Sequence, residues 1–200
     1  MKCILFLIAA VGFFPAVRAQ LSYGIKAGLN FSTESVGSND YSTSAQTGFN
    51  GGIFARWLFV PSFAARVEVF YSGEGTREEY KPTGTEGNIN RGFLRVPVLV
   101  QYNIGAGIYA ETGPQVGFLL SSKEKFDGMV TNIKQYYSAV NLGWCFGIGY
   151  RLDGLVKGLE VNARYAPGLT RLNKEDIAGK SLSSSVLSTG LFYTMPSRYK

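Results

Sequence analysis

Nine charged residues in this chain stand among small and apolar neighbours: Lys26, Arg56, Arg66, Glu68, Arg95, Glu111, Arg151, Glu160 and Arg164. Carboxylates in such surroundings can serve as general acid and base, or can pair with the cations and hold a fold together. No acid stands out as half of a catalytic pair, and the adjacent Glu78 and Glu79 read as a solvated turn. Histidine is absent from all 200 residues, which excludes Ser-His-Asp chemistry and histidine-ligated metal sites. Cys145 lacks the histidine partner that a nucleophilic thiol usually needs and reads as a small, half-buried wall residue. The expectation is no enzyme, no cofactor, no catalytic or metal site, and a structural charge network built from the nine residues.

Alternation reveals the elements that carry these charges. Over residues 21–32, Leu21, Tyr23, Ile25, Ala27, Leu29 and Phe31 form one set, and Ser22, Gly24, Lys26, Gly28, Asn30 and Ser32 the other. A period of two with that contrast is a strand with one apolar and one polar face. The split recurs over residues 48–59, 65–74, 94–103, 108–121, 140–152, 159–165 and 187–195. It is sharpest in 140–152, where Val140, Leu142, Trp144, Phe146, Ile148 and Tyr150 oppose Asn141, Gly143, Cys145, Gly147, Gly149 and Arg151. These eight segments, most of them about 9–12 residues long, have the length of tilted membrane-spanning strands. The fold class that follows is all-β, an eight-stranded antiparallel up-and-down transmembrane β-barrel.

The connections alternate too. Short ones fall at residues 60–62, 104–106 and 153–157, and long polar ones at 33–47, 75–90, 122–137 and 168–184. Outer-membrane barrels have short periplasmic turns and long extracellular loops, so both termini are expected in the periplasm. In that orientation Tyr23, Trp57, Phe59, Tyr102, Tyr150 and Tyr193 ring the periplasmic rim, while Phe31, Phe49, Tyr71, Phe118 and Tyr165 ring the outer one. Two aromatic girdles suit the two bilayer interfaces; Trp144 falls between them. A soluble lipocalin-like barrel would turn its apolar face inward. The polar face here is mostly Gly, Ser and Asn, which suits a crowded lumen better than a solvated surface.

The first residues have their own layout. Lys2 precedes an apolar run, and Pro15 and Ala19 follow before Gln20, the order of a secretory signal peptide occupying residues 1–19 and leaving a barrel domain at 20–200. Pro15 and Arg18 interrupt the run short of the ~20 residues of a membrane helix. Cys3 precedes the run, which speaks against a lipoprotein. Removing the segment takes away Lys2 and Arg18 and no acid, so the formal charge of +6 falls to a mild excess. Its basic residues are scattered, so nucleic acid is not an expected partner. Cys145 is then the sole cysteine, and no intramolecular disulfide can form.

A barrel of eight strands has an interior just wide enough for its own side chains. The nine charges are expected there, paired with one another, because an unpaired buried charge is costly.

Three stretches carry a family resemblance: GIKAGLNFS at residues 24–32, RVEVFYS at 66–72 and LRVPVLVQYN at 94–103. They resemble the porin-like or PorT-like outer-membrane β-barrel proteins of Bacteroidetes, and the architecture is similar to the OmpX and OmpA barrels. The last strand resembles a barrel-assembly signal, with Gly190 and Tyr193, although Met195 stands where an aromatic is usual and residues 196–200 trail beyond it. The resemblance implies outer-membrane localisation, with outer-membrane lipid and the barrel-assembly machinery as partners. For function it leaves three readings: a structural or surface-interaction barrel whose loops contact an envelope or extracellular protein, a narrow channel for small solutes, or an accessory to type IX secretion. The loop at 122–137 mixes Phe126, Met129, Val130, Tyr136 and Tyr137 with Lys123, Lys125 and Lys134, a composition that suits either a partner contact or ordinary loop packing.

Overall fold

A computed structural model describes residues 20–35, 41–80, 85–126, 129–170 and 183–196. The expected signal segment at 1–19 lies outside the described residues, as does most of the loop expected at 168–184. The strands are β1 (Gln20–Ser35), β2 (Tyr41–Val60), β3 (Phe63–Tyr80), β4 (Thr85–Gly105), β5 (Ile108–Phe126), β6 (Met129–Asn132), β7 (Val140–Arg151), β8 (Leu159–Pro167) and β9 (Ser183–Thr194). All neighbours pair antiparallel, and eight of the nine form a ring in the order β1, β2, β3, β4, β5, β7, β8, β9, with β9 closing on β1. β6 stands outside the ring, hairpinned onto the tip of β5.

The registers give the ring its dimensions. Cross-strand partners lead from Leu21 through Trp57, Ala65, Val100, Thr112, Phe146, Tyr165 and Leu187 back to β1 at Phe31. The circuit thus climbs ten residues along β1, from 21 to 31. Ten residues of ~3.3 Å against eight strand spacings of ~4.8 Å set a strand tilt of about 40°.

Side chains alternate between the two faces of this wall, and the polarity is the reverse of a soluble barrel. Ile53 on the outer face is 61% exposed, while Arg66, Glu68 and Gln101 inside are fully buried. The residues of both expected aromatic girdles lie on the outer face, where the rings of Phe49 and Tyr71 are 5.3 Å apart and those of Phe63 and Tyr102 are 5.0 Å apart. Trp144, between the girdles, donates its indole N–H to Thr112 Oγ1 at 2.8 Å, and that hydroxyl donates onward to the Cys145 carbonyl at 3.0 Å. The polar edge of the indole is thereby satisfied in the middle of an apolar belt.

At one end the turns are tight. Gly105 (φ 125°), Ala106 (φ 50°) and Gly107 (φ 83°) occupy the left-handed region between β4 and β5, which two glycines make affordable. Between β7 and β8, Asp153 Oδ1 accepts the Gly158 N–H at 2.9 Å.

At the other end the expected strands are too short. β1 to β5 run 16 to 21 residues, so much of the expected loops at 33–47 and 75–90 is paired strand. Beyond the apolar belt both faces are polar and the period-two contrast disappears, while the backbone ladder continues. Glu78 and Glu79 therefore pair opposite Thr43 and Ser42 in β3 instead of forming a turn. The expected loop at 122–137 holds the end of β5, all of β6 and a 3-10 turn, Lys134–Tyr136. Ile133, just before that turn, is buried.

Candidate functional site: the charged lumen

Each charged residue picked out in the sequence sits on the lumen phase of its strand: Lys26 on β1, Arg56 on β2, Arg66 and Glu68 on β3, Arg95 on β4, Glu111 on β5, Arg151 on β7, and Glu160 and Arg164 on β8. Eight of the nine form one connected network. Glu68 accepts from Arg164 at both oxygens, 3.0 and 2.7 Å, and from Lys26 Nζ at 3.0 Å. Arg164 also donates to Glu111 Oε1 from Nε at 3.0 Å and Nη2 at 2.6 Å. Glu111 further accepts from Gln101 (2.9 Å) and Asn162 (3.1 Å), and lies 3.8 Å from Arg66 Nη1. Arg66 reaches on to Glu160, which accepts from Arg56 at 2.6 Å and has Arg151 Nε at 3.8 Å.

Arg95, the ninth, belongs to a second cluster. It donates to Glu74 from Nε at 2.9 Å and from Nη2 at 2.6 Å, and to Asn141 Oδ1 at 2.7 Å. Ser72, Asn30 and Asn50 extend this cluster through hydrogen bonds of 2.8 Å each. Glu74 lies in the polar phase of its strand, and the sequence reading left it out of the network. Its place two residues after Ser72 on that phase was the available signal.

Phe54 falls in the polar phase of its segment, but Phe70, Phe93 and Phe192, also inside the lumen, were missed. Lys26 Nζ lies 3.7 Å from the centre of the Phe70 ring, the Arg66 guanidinium lies 4.9 Å from Phe54 and 4.7 Å from Phe192, and that of Arg95 lies 4.1 Å from Phe93. Ring faces attract cations most where water is excluded, so these residues fill volume and also stabilise charge. Type argues for the lipid face, but strand phase puts them inside: Phe70 follows Arg66 and Glu68 at intervals of two.

Glycines on the lumen face make the space. Gly117, Gly147, Gly149 and Gly24 are the direct cross-strand partners of Arg95, Glu111, Tyr109 and Phe54. A Cβ at Gly117 would come within 2.3 Å of Arg95 Nη1, and one at Gly149 within 2.2 Å of the Tyr109 ring. Each of these four residues lies over a glycine on the next strand. Cys145 is fully buried, more so than the half-buried wall residue expected, with Sγ 3.4 Å from Gln115 Oε1. Among the described residues no group of His, Cys, Asp and Glu is arranged to hold a metal ion.

Comparison with known proteins gives this geometry a context. Over 87% of this chain and 98% of the other, the structure is similar to Ail, the attachment invasion locus protein of Yersinia pestis, with a TM-score of 0.51 at 14% identity. It is similar to Neisserial surface protein A over 88% of this chain and 99% of the other, with a TM-score of 0.54 at 15% identity. At such identities the likeness speaks for the fold alone. No curated protein matches the chain. The family model for the outer membrane protein beta-barrel domain matches residues 16–173, from just before β1 to just past β8. A ring of eight tilted strands, apolar without and charged within, carries that family's sequence pattern over most of its length, and the chain belongs to this family of outer-membrane β-barrel proteins.

Proposed function

We propose that this protein is a closed outer-membrane barrel, a rigid anchor that holds its long-hairpin end at the cell surface for contact with an envelope or extracellular partner. The observation that carries the reading is the buried network linking Glu68, Arg164, Glu111 and Arg66, whose side chains meet across the lumen. An eight-stranded interior filled this way has no room for a water column. The other end supports the same reading: Ile133 is buried there, and Tyr137 packs against Phe93 and Leu119 over the mouth. Above it Met129 and Val130 on β6 and Tyr136 in the 3-10 turn are exposed, an apolar tip suited to a partner.

On this reading the short turns face the periplasm and the hairpins the exterior. Export by a signal segment ending at Ala19 is part of it, and β1 begins at Gln20, the next residue. Because the lumen is filled, the anchor is favoured over the solute channel. The PorT-like resemblance rests on strand motifs that specify a barrel, and a role in secretion adds nothing that these residues require.

Single-channel recording in planar bilayers tests the proposal. A folded, heat-modifiable protein that stays silent is expected, and discrete, reproducible openings would overturn it.

A further inference from the structure

The connected ion-pair network is not neutral. Five cations, Lys26, Arg56, Arg66, Arg151 and Arg164, meet three carboxylates, Glu68, Glu111 and Glu160. Two positive charges are left over in surroundings where uncompensated charge is costly. The surplus gathers at the short-turn end, because Arg56 and Arg151 both rely on Glu160, which is also shared with Arg66. Arg66 is sealed, whereas the Arg56 and Arg151 side chains keep 17% and 19% of their surface open. Both line a cavity of about 740 Å³ at the barrel mouth, together with Ser22, Asn103, Asp153 and Lys157. Arg151 Nε is buried without a hydrogen bond, and the carboxylate oxygen of its ion pair is 3.8 Å away. On the rim Asp153 and Lys157 cancel, and Asp153 is already committed to the turn through Gly158.

We propose that this vestibule is a binding site for a small soluble phosphate, free or as a phosphate monoester, held between Arg56 and Arg151. Guanidinium forks match phosphate oxygens in geometry, and a surplus of two charges fits a dianion better than a monocarboxylate. In the orientation proposed above, the mouth opens to the periplasm, which supplies the solute. The chemistry rests on the charge surplus and the cavity, and holds whether or not the barrel conducts.

The test is an amide NMR titration of isotope-labelled protein, purified from outer membranes into a phosphate-free nonionic detergent, with inorganic phosphate added against chloride at constant ionic strength. Saturable shifts at Ser22, Asn103, Arg151 and Gly158 with phosphate but not chloride are expected. In the double variant Arg56→Gln/Arg151→Gln the affinity should fall about tenfold or more. Equal affinity in that variant, or no saturable shift in the unsubstituted protein, would overturn the site. If the double variant fails to fold, the phosphate-against-chloride comparison in the unsubstituted protein decides alone. Displacement of phosphate by added phosphatidylglycerol would move the site to a lipid headgroup and overturn the soluble-solute assignment.

Discussion

Glu68 and Arg164 lie on strands four steps apart in either direction around the eight-strand ring, and they meet through two hydrogen bonds of 3.0 and 2.7 Å. The pair is a strut across the full width of the barrel, joining residues 96 positions apart in the chain. Replacing one member leaves the other's charge buried, which typically costs about 3–5 kcal/mol. Glu68→Gln, which strands Lys26 and leaves Arg164 with Glu111 alone, should lower unfolding stability by about that amount in denaturant titrations of vesicle-embedded protein. Glu68→Gln/Arg164→Gln should be less destabilising than the sum of the two singles, because the residues share one network. Additive losses would mean that the strut carries no coupling.

A side chain at Gly117 should displace Arg95. Gly117→Val would drive a Cβ into Arg95, whose nitrogen lies 2.3 Å from the ideal position, and would prise it from Glu74 and Asn141. Overpacking of this kind costs about 1–3 kcal/mol, measurable as a lowered midpoint of heat modifiability on gels. Gly154, with nothing within 4 Å of its ideal Cβ, serves as the control: Gly154→Ala should leave the midpoint in place.

Emptying the lumen should create a pore. Joint replacement of Arg66, Glu68, Glu111 and Arg164 by serine removes both charge signs and the bulk between them. Provided that the variant assembles, bilayer recordings should yield discrete conductance where the native protein is expected to yield none. A variant that folds and remains silent would place the block elsewhere, at the Ile133 and Tyr137 end.

The exposed tip can be altered without touching the barrel. Met129, Val130 and Tyr136 are 71%, 62% and 53% exposed. Their joint replacement by serine should change stability by no more than about 0.5 kcal/mol, while abolishing any surface adhesion that the native protein confers on cells. Retained adhesion would send the search to another hairpin.

Cys145 offers a probe of folding. It is fully buried in the lumen wall, so a maleimide should label it only after unfolding, and the labelled fraction should track loss of heat modifiability. Rapid labelling of the folded barrel would mean that the lumen breathes.

Much of this was legible in the sequence, because a two-sided wall writes itself as period two. The alternation in 140–152 is so complete that β7 needs no other evidence. Phase alone also assigns Phe70 to the lumen, but residue type masked it: a phenylalanine in a membrane strand suggests lipid, and Phe70 instead covers Lys26. The pairing partners were not legible. Nothing local says that Arg164 meets Glu68 rather than Glu74, since that choice depends on the ten-residue stagger of the whole ring. The upper halves of β2, β3 and β4 escaped for another reason. A stretch such as Tyr41 to Ala45 has no apolar face to mark, and only the backbone ladder, invisible in sequence, makes it a strand.

Ring closure by β9 against β1 sets a condition on assembly. Gly24 pairs with Thr194 and Ser35 with Ser183, so the ring's first strand in chain order waits for its last. Until then β1 and the newest strand each present an open ladder of N–H and C=O groups, which hydrocarbon cannot hydrate and which invite pairing with a stranger. A chain that stops short of β9 is therefore a sheet with two sticky margins, and insertion has to be a late, nearly all-or-none event governed by the carboxy-terminal strand.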